Sequence, residues 1–264
     1  MIHTRAAAVT LSFAVACAAC GSGSSPTSPT SSPSPTIPVS NACGTVGIGI
    51  VNGAPCSTAA SPVVLVNLRG SDGDPTGACS GTVIAPRAVL TAAHCLAGGV
   101  ASVRIYLGTG SEIPARAFSA YPGYREDDPS QLDAGVVLMA DDIGRAPVPL
   151  LLSRDARVGE TAILVGWGKD QNLIPATLRA GSTTISAVTA TRVQTEYSTT
   201  ASSVCSGDSG GPLLVQESGA WAVAGITSAV TTTACNVGTN YFANVRNPSI
   251  TSFILGLVPD AARR

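Results

Sequence analysis

Between residues 63 and 245 the chain repeats one device: a short aliphatic or β-branched run, then glycine, proline or polar turn residues. The runs are VVLVNL (63–68), GTVIA (81–85), AVLT (88–91), SVRIYL (102–107), GVVLM (135–139), TAILVGW (161–167), PLLVQ (212–216), WAVAGITS (221–228) and YFANV (241–245). Short strand-forming segments separated by turn residues imply an all-β sandwich or barrel. Only the tail SITSFILGL (249–257) spaces its apolar residues as a helix does. No internal repeat is visible. With 264 residues, 45% apolar and 12% charged, the chain can bury a sizeable core in one large or two small domains. A formal net charge of −1 gives no electrostatic reason to expect a nucleic-acid partner.

The first residues have a different character. Met1 to Arg5 carry positive charge, Ala6 to Ala16 are mostly apolar, and CAAC follows. Charge, a short apolar core and small residues, in that order, predict an export signal over 1–20. Beyond it, no apolar run reaches the roughly 18 residues a spanning helix needs, so the body is expected to be soluble. Small apolar residues leading into a cysteine, then Gly-Ser-Gly-Ser-Ser, resemble the lipobox of bacterial lipoproteins. Cys20 has the more typical downstream residues, and Cys17 is preceded by an acceptable Ala-Val-Ala. Either could carry a lipid, and export without a lipid is the other reading. Residues 21–40 are uncharged and dominated by Ser, Pro and Thr. Such a segment buries too little apolar surface to offset its ordering entropy. Extended at about 3.1 Å per residue, it would reach roughly 60 Å. The segment 21–49 is therefore expected to be a linker and propeptide, and 50–264 the folded domain, in the cell envelope or outside the cell.

Of eight cysteines, six lie beyond the signal: Cys43, Cys56, Cys79, Cys95, Cys205 and Cys235. An even number in an exported chain implies disulfides. A zinc site is disfavoured, because one histidine lies nearby and no C-x-x-C occurs beyond the signal. No metal and no cofactor is expected.

Residues 205–213, CSGDSGGPL, set a serine between an aspartate and two glycines. A surface turn would use the same residue types. A tight bend that presents a hydroxyl beside bare N–H groups is the alternative. A serine hydroxyl is a weak nucleophile that needs an adjacent base, and that base needs a third group to orient it. The chain has two histidines, His3 in the signal and His94 in AVLTAAHC, so His94 is the only base of that type left to the folded domain. Among the acidic residues most sit in polar clusters, such as 126–128 and 141–142. Asp133 instead leads directly into AGVVLM, where a desolvated carboxylate would need a partner. GDSGG also fits G-x-S-x-G, the nucleophile elbow of α/β-hydrolases. That fold places its histidine after the serine, and no histidine follows Ser209.

LTAAHC, an aspartate before a small-apolar strand, and GDSGGPL in that order resemble the chymotrypsin/trypsin family of serine proteases. The resemblance runs from Ile50 to about Leu257. It includes IVNG (50–53), SPVVL (61–65), CSGTVIAPRAVLTAAHC (79–95), YPGY (121–124), GWG (166–168) and GAWAVAGI (219–226). It implies two six-stranded antiparallel β-barrels with a C-terminal helix. It implies a secreted serine endopeptidase acting on proteins or peptides, and we expect a monomer. His94 would be general base and then acid, Asp133 its orienter, Ser209 the nucleophile, and the N–H groups of Gly207 and Ser209 the oxyanion hole. Cys79 would pair with Cys95 and Cys205 with Cys235, leaving Cys43 to pair with Cys56.

By the same resemblance, Ser203 lies on the floor of the substrate pocket, where trypsin-like members carry aspartate. Ser228, Val230 and Asn240 line the rest of the pocket. Side chains at Val230 and Asn240 imply an elastase-like preference for small aliphatic residues. Cleavage between Gly49 and Ile50 would free an amine to meet Asp208, which sits too close to the nucleophile to orient the histidine. The sequence departs from the family in three places. Ala229 and Val230 follow Ser228 where Trp-Gly is usual, Ala-Gly follows Asp133, and Gly49 precedes Ile50 where Arg or Lys is usual. A catalytically silent homologue acting as a cell-surface binding module is the alternative, although such modules typically lose Ser or His.

Overall fold

Strand β2 (Val63–Arg69) buries Val63, Val64, Val66 and Leu68, and the four residues of β4 (Ala88–Thr91) are buried throughout. Residues with these shapes pack on both faces of a pleated surface, which marks a strand covered on two sides. The computed structural model describes residues 50, 54–128, 132–170, 172, 177–232 and 234–264. They all belong to the unit Pro35–Arg264.

The remaining elements are β1 (Ala54–Pro55), β3 (Pro75–Ala85), helix α1 (Ala93–Leu96), β5 (Ser102–Tyr106), β6 (Ile113–Pro114), β7 (Ala117–Ala120) and β8 (Gly135–Leu138). Then come β9 (Thr161–Gly166), β10 (Arg179–Val188), β11 (Arg192–Glu196), β12 (Pro212–Glu217), β13 (Ala220–Val230), β14 (Thr239–Asn244) and helix α2 (Pro248–Leu257). The expected all-β fold and its C-terminal helix are both present. The helix starts where Asn247 accepts from the N–H groups of Ser249 and Ile250, with Pro248 in its first turn.

Two antiparallel sheets follow one another. The first runs β6-β5-β2-β3-β4-β8-β7 and curls as an open half-barrel, with no pairing between its edges among the described residues. In the second, β9 pairs with both β10 and β12, so β9, β10, β11, β14, β13 and β12 close into a six-stranded barrel. β1 adds to it at Ala54 opposite Ala180. Closure leaves the ring itself no free edge.

β10 and β11 were not among the strands expected from apolar runs. In β10, Ala180, Thr183 and Ile185 are buried while Thr184 and Ser186 are exposed, so threonine supplies part of the inward face. An apolar scan misses a strand whose alternation is carried by Ser and Thr.

Apolar side chains of the first sheet pack with Ile250 and Ile254 of α2, and also meet Trp167 and Leu214 from the second. The closed barrel holds Ile185, Val193, Leu213, Val215 and Phe242, and Ile50 is buried among them. Cys79–Cys95 and Cys205–Cys235 are bonded as expected. Cys56 is also oxidised. Its expected partner Cys43, the signal cysteines Cys17 and Cys20, and the linker lie outside the described residues. Among the described residues no helix is long and apolar enough to cross a membrane.

Candidate active site

β4 runs buried into the one-turn helix α1, which carries His94, and the Cys79–Cys95 bond ties that turn back to β3. Asp133 lies two residues before β8, which pairs with β4, so the carboxylate arrives beside the turn. It is 1% exposed. One oxygen accepts from the His94 backbone N–H at 2.9 Å, and the other lies 2.7 Å from His94 Nδ1. The Ser228 hydroxyl donates to that second oxygen at 2.7 Å. Three donors thus offset the cost of burying the charge. With the Nδ1 proton directed at Asp133, the tautomer that fits leaves Nε2 as an acceptor. Burial first, then the Asp133 and Glu126 charges, push the nearby Tyr124 phenol up to about 12, so it stays neutral.

The serine loop is held by its carbonyls. Those of Ser206, Gly207, Asp208 and Ser209 accept from Lys169 N–H, Ser80 Oγ, Gly211 N–H and Ser80 N–H respectively. The N–H groups of Asp208, Gly210 and Gly211 donate to Cys205, Thr227 and Asp208 carbonyls. Among the described residues, the N–H groups of Gly207 and Ser209 have no acceptor in the protein. Gly207 reaches this arrangement at φ +98°, which side-chain-bearing residues resist. A Cβ on Gly210 would lie 2.1 Å from Thr91 Oγ1 and 2.8 Å from the Ala92 nitrogen. Only glycine lets the loop pack this closely on the end of β4, three residues before His94.

Asp208 turns away from this surface and is fully buried. Its carboxylate accepts from the N–H groups of Gly168 and Cys205, both at 2.8 Å. Side chains at Gly166 or Gly168 would strike it, since their Cβ atoms would fall 2.1 Å from Oδ1 and 2.5 Å from Cγ. Burial pushes Asp208 up to about 7, against the pull of those two N–H groups and the Arg179 charge.

The trypsin family model matches residues 50–254. The chain belongs to the trypsin family. It is 31% identical to human kallikrein-11 over 53% of its own length and 59% of that protein. It is 32% identical to a chymotrypsin of Phaedon cochleariae over 56% of its length and 63% of that chain. Bovine chymotrypsin-C is 31% identical over 60% and 69%. The match thus spans about three fifths of the first two of these relatives. Among solved structures, HL collagenase superposes with a TM-score of 0.68 at 20% identity, covering 80% of this chain and 99% of that one. The structure of GrC gives 0.66 at 23% identity, over 80% and 100%. At such identities the likeness is one of fold.

Within this trypsin-family domain, Ser203 and Asn240 come together. Both are 1% exposed, and the Ser203 hydroxyl donates to Asn240 Oδ1 at 2.8 Å. The Asn240 amide donates in turn to Thr195 Oγ1 at 3.1 Å. Val230 sits opposite Asn240 in the β13–β14 pairing and is 36% exposed. Ser228, expected at the pocket, sits in the irregular register between Thr227 and Ala229, and its hydroxyl donates to Asp133. Such a bulge re-aims a side chain. Sequence reasoning missed two contributors, Ser80 and the Lys169 N–H. Ser80 stands inside the quoted CSGT run, but nothing in the run marks its hydroxyl. The Cys79 and Cys95 sulfurs lie within 4.8 Å of a His94 nitrogen, yet they are bonded to each other and offer no thiolate.

Proposed function

We propose that this chain is a serine endopeptidase that hydrolyses protein or peptide bonds through an acyl-enzyme. The supporting observation is the serine loop: its carbonyls are tied, the N–H groups of Gly207 and Ser209 are free, and its Gly210 packs on Thr91 and Ala92, just before the His94 that pairs with Asp133. Ser209 Oγ attacks the scissile carbonyl carbon while His94 Nε2 takes the hydroxyl proton. The carbonyl oxygen gains negative charge and meets the two free N–H groups, which strengthen as that charge develops. Collapse breaks the C–N bond, and His94 returns its proton to the leaving amine. Water then repeats the sequence: His94 takes its proton, the ester bond breaks, and the proton goes to Ser209. Asp133 holds the ring and stabilises the imidazolium without becoming protonated itself.

For the substrate, the neutral Ser203–Asn240 floor gives an arginine side chain no counter-charge. The bulk of Asn240 and Val230 favours small aliphatic residues on the acyl side of the cut. For activation, Ile50 is buried with φ +73°, an outlier for a β-branched residue. Such a strained residue costs about 1 to 3 kcal/mol. The torsion is defined by the carbonyl carbon of Gly49, so cutting Gly49–Ile50 abolishes it. The freed amine would supply the cation that Asp208 lacks among its hydrogen-bond partners. The disulfides suit an exported chain. A lipid at Cys20 or Cys17 would hold it near a membrane, and replacing both with serine should release it into the soluble fraction. Membrane association unchanged by that replacement would remove the anchor.

The test of the activity is hydrolysis of a peptide by the chain cut at Gly49–Ile50. Ser209→Ala should abolish it and chelators should leave it intact. No hydrolysis by the wild-type cut chain would favour a silent binding module.

A further inference from the structure

Ser80 lies on β3 in the first sheet and is fully buried, yet its N–H and its hydroxyl are directed at the active-site loops. Its N–H donates to the Ser209 carbonyl at 2.8 Å and its carbonyl accepts from Thr91 Oγ1 at 2.8 Å. Its hydroxyl donates to the Gly207 carbonyl at 2.9 Å and accepts from the Trp167 N–H at 2.9 Å. One hydroxyl has one proton, so these two bonds together fix its rotor.

The backbone contacts of Ser80 could be made by any residue, but the hydroxyl contacts could not. The Gly207 carbonyl belongs to the peptide whose N–H, that of Asp208, donates to Cys205. The hydroxyl therefore pins the other edge of that peptide plane. Gly207 itself sits at φ +98°, the torsion that joins it to the preceding peptide and a value other backbone states compete with when nothing holds it. The preceding peptide is held at the Ser206 carbonyl by Lys169, two residues beyond Trp167. One side chain thus braces the loop that carries both free N–H groups and the GWG turn packed on Asp208.

We propose that Ser80 is a positioning residue for the oxyanion hole: its hydroxyl, shared between the Gly207 carbonyl and the Trp167 N–H, aims the Gly207 and Ser209 N–H groups. The proposal rests on the serine-endopeptidase reading. Removing the hydroxyl takes that partner from the half-buried Gly207 carbonyl and leaves the buried Trp167 N–H without one, so the loop relaxes by turning them. Deleting an oxyanion donor outright lowers kcat by about 10²- to 10³-fold, so mis-aiming one should lower it by roughly 10- to 100-fold.

The test compares wild type, Ser80→Ala, Ser80→Cys and Ser209→Ala, each cut at Gly49–Ile50, on one peptide amide substrate. Ser80→Ala should lose kcat by roughly that factor with KM within about twofold, because ground-state contacts are unchanged. A peptide aldehyde, whose adduct places an oxyanion in the hole, should bind more weakly in proportion. The matching peptide alcohol, which forms no oxyanion, should bind as before. Ser80→Cys keeps a weak donor and should fall between, and it reads the same quantities if Ser80→Ala does not fold. A wild type that fails to hydrolyse the substrate would sink the endopeptidase reading. An active wild type with kcat retained in Ser80→Ala, or with the loss confined to KM, would overturn the role of Ser80 alone.

Discussion

The two halves of the site are built in opposite ways. His94 and Asp133 stand at the ends of buried, neighbouring strands of the half-barrel, and their geometry comes from the pairing of β4 with β8. Ser209 stands on a loop of the closed barrel rather than at a strand end, and its geometry comes from polar contacts. Those contacts are the tied carbonyls of residues 206–209, the buried Asp208 carboxylate, and a hydroxyl reaching over from the other sheet. A strand-end site tolerates changes that keep the core filled. A loop site depends on every bond that holds it, because few apolar contacts stand in reserve.

The sharpest way to break this comparison is to remove one member from each half. Ser209→Ala and His94→Ala should each lower kcat by about 10⁴-fold or more, and the double variant should lose little beyond either. Losses that multiply in the double variant would mean that the two halves act separately.

Pocket changes should have smaller effects. Val230→Gly should shift the preference from Ala or Val toward Phe by roughly 10-fold in kcat/KM, the scale that a change of one or two carbons in an apolar pocket commands. Wild type should scarcely cleave after Arg. A peptide series differing only at the acyl-side residue measures both, and preferred cleavage after Arg would overturn the pocket assignment.

A further effect is on stability and follows from Asp208. In the uncut fold its pKa rises from 3.8 to about 7, so the folded chain holds a proton that the unfolded chain releases. The sign follows directly. Its contribution is fully present below about pH 4 and is lost as pH rises through about 7. Thermal melts should therefore show the uncut chain losing stability between pH 4 and 7.5 relative to Asp208→Asn, and the cut chain losing less. Equal slopes in the cut and uncut chains would remove Ile50 as the partner of Asp208.

Legibility followed the same division. The strands around His94 are apolar runs, so β2, β4 and β8 were readable within a residue or two, and Asp133 stood out as the acidic residue entering one of them. In the second barrel β10 and β11 bury Thr183 and Thr195, which composition treats as surface. The GDSGG run announced the serine, but two of its loop's carbonyls are held by Ser80, more than a hundred residues away, and a third by Lys169, just past the GWG turn. Local sequence does not encode such pairings. The bond from Ser228 to Asp133 was unreadable for a related reason: a register irregularity decides where its hydroxyl points.

One measurement bears most directly on the central claim, that both halves converge on a single activated hydroxyl. The cut chain is treated with phenylmethylsulfonyl fluoride, and the modified peptide is identified by mass spectrometry alongside the residual activity. We expect one adduct, on Ser209, formed in step with loss of hydrolysis and absent from His94→Ala. Full hydrolysis persisting without an adduct, or an adduct on another residue that abolishes activity, would contradict it.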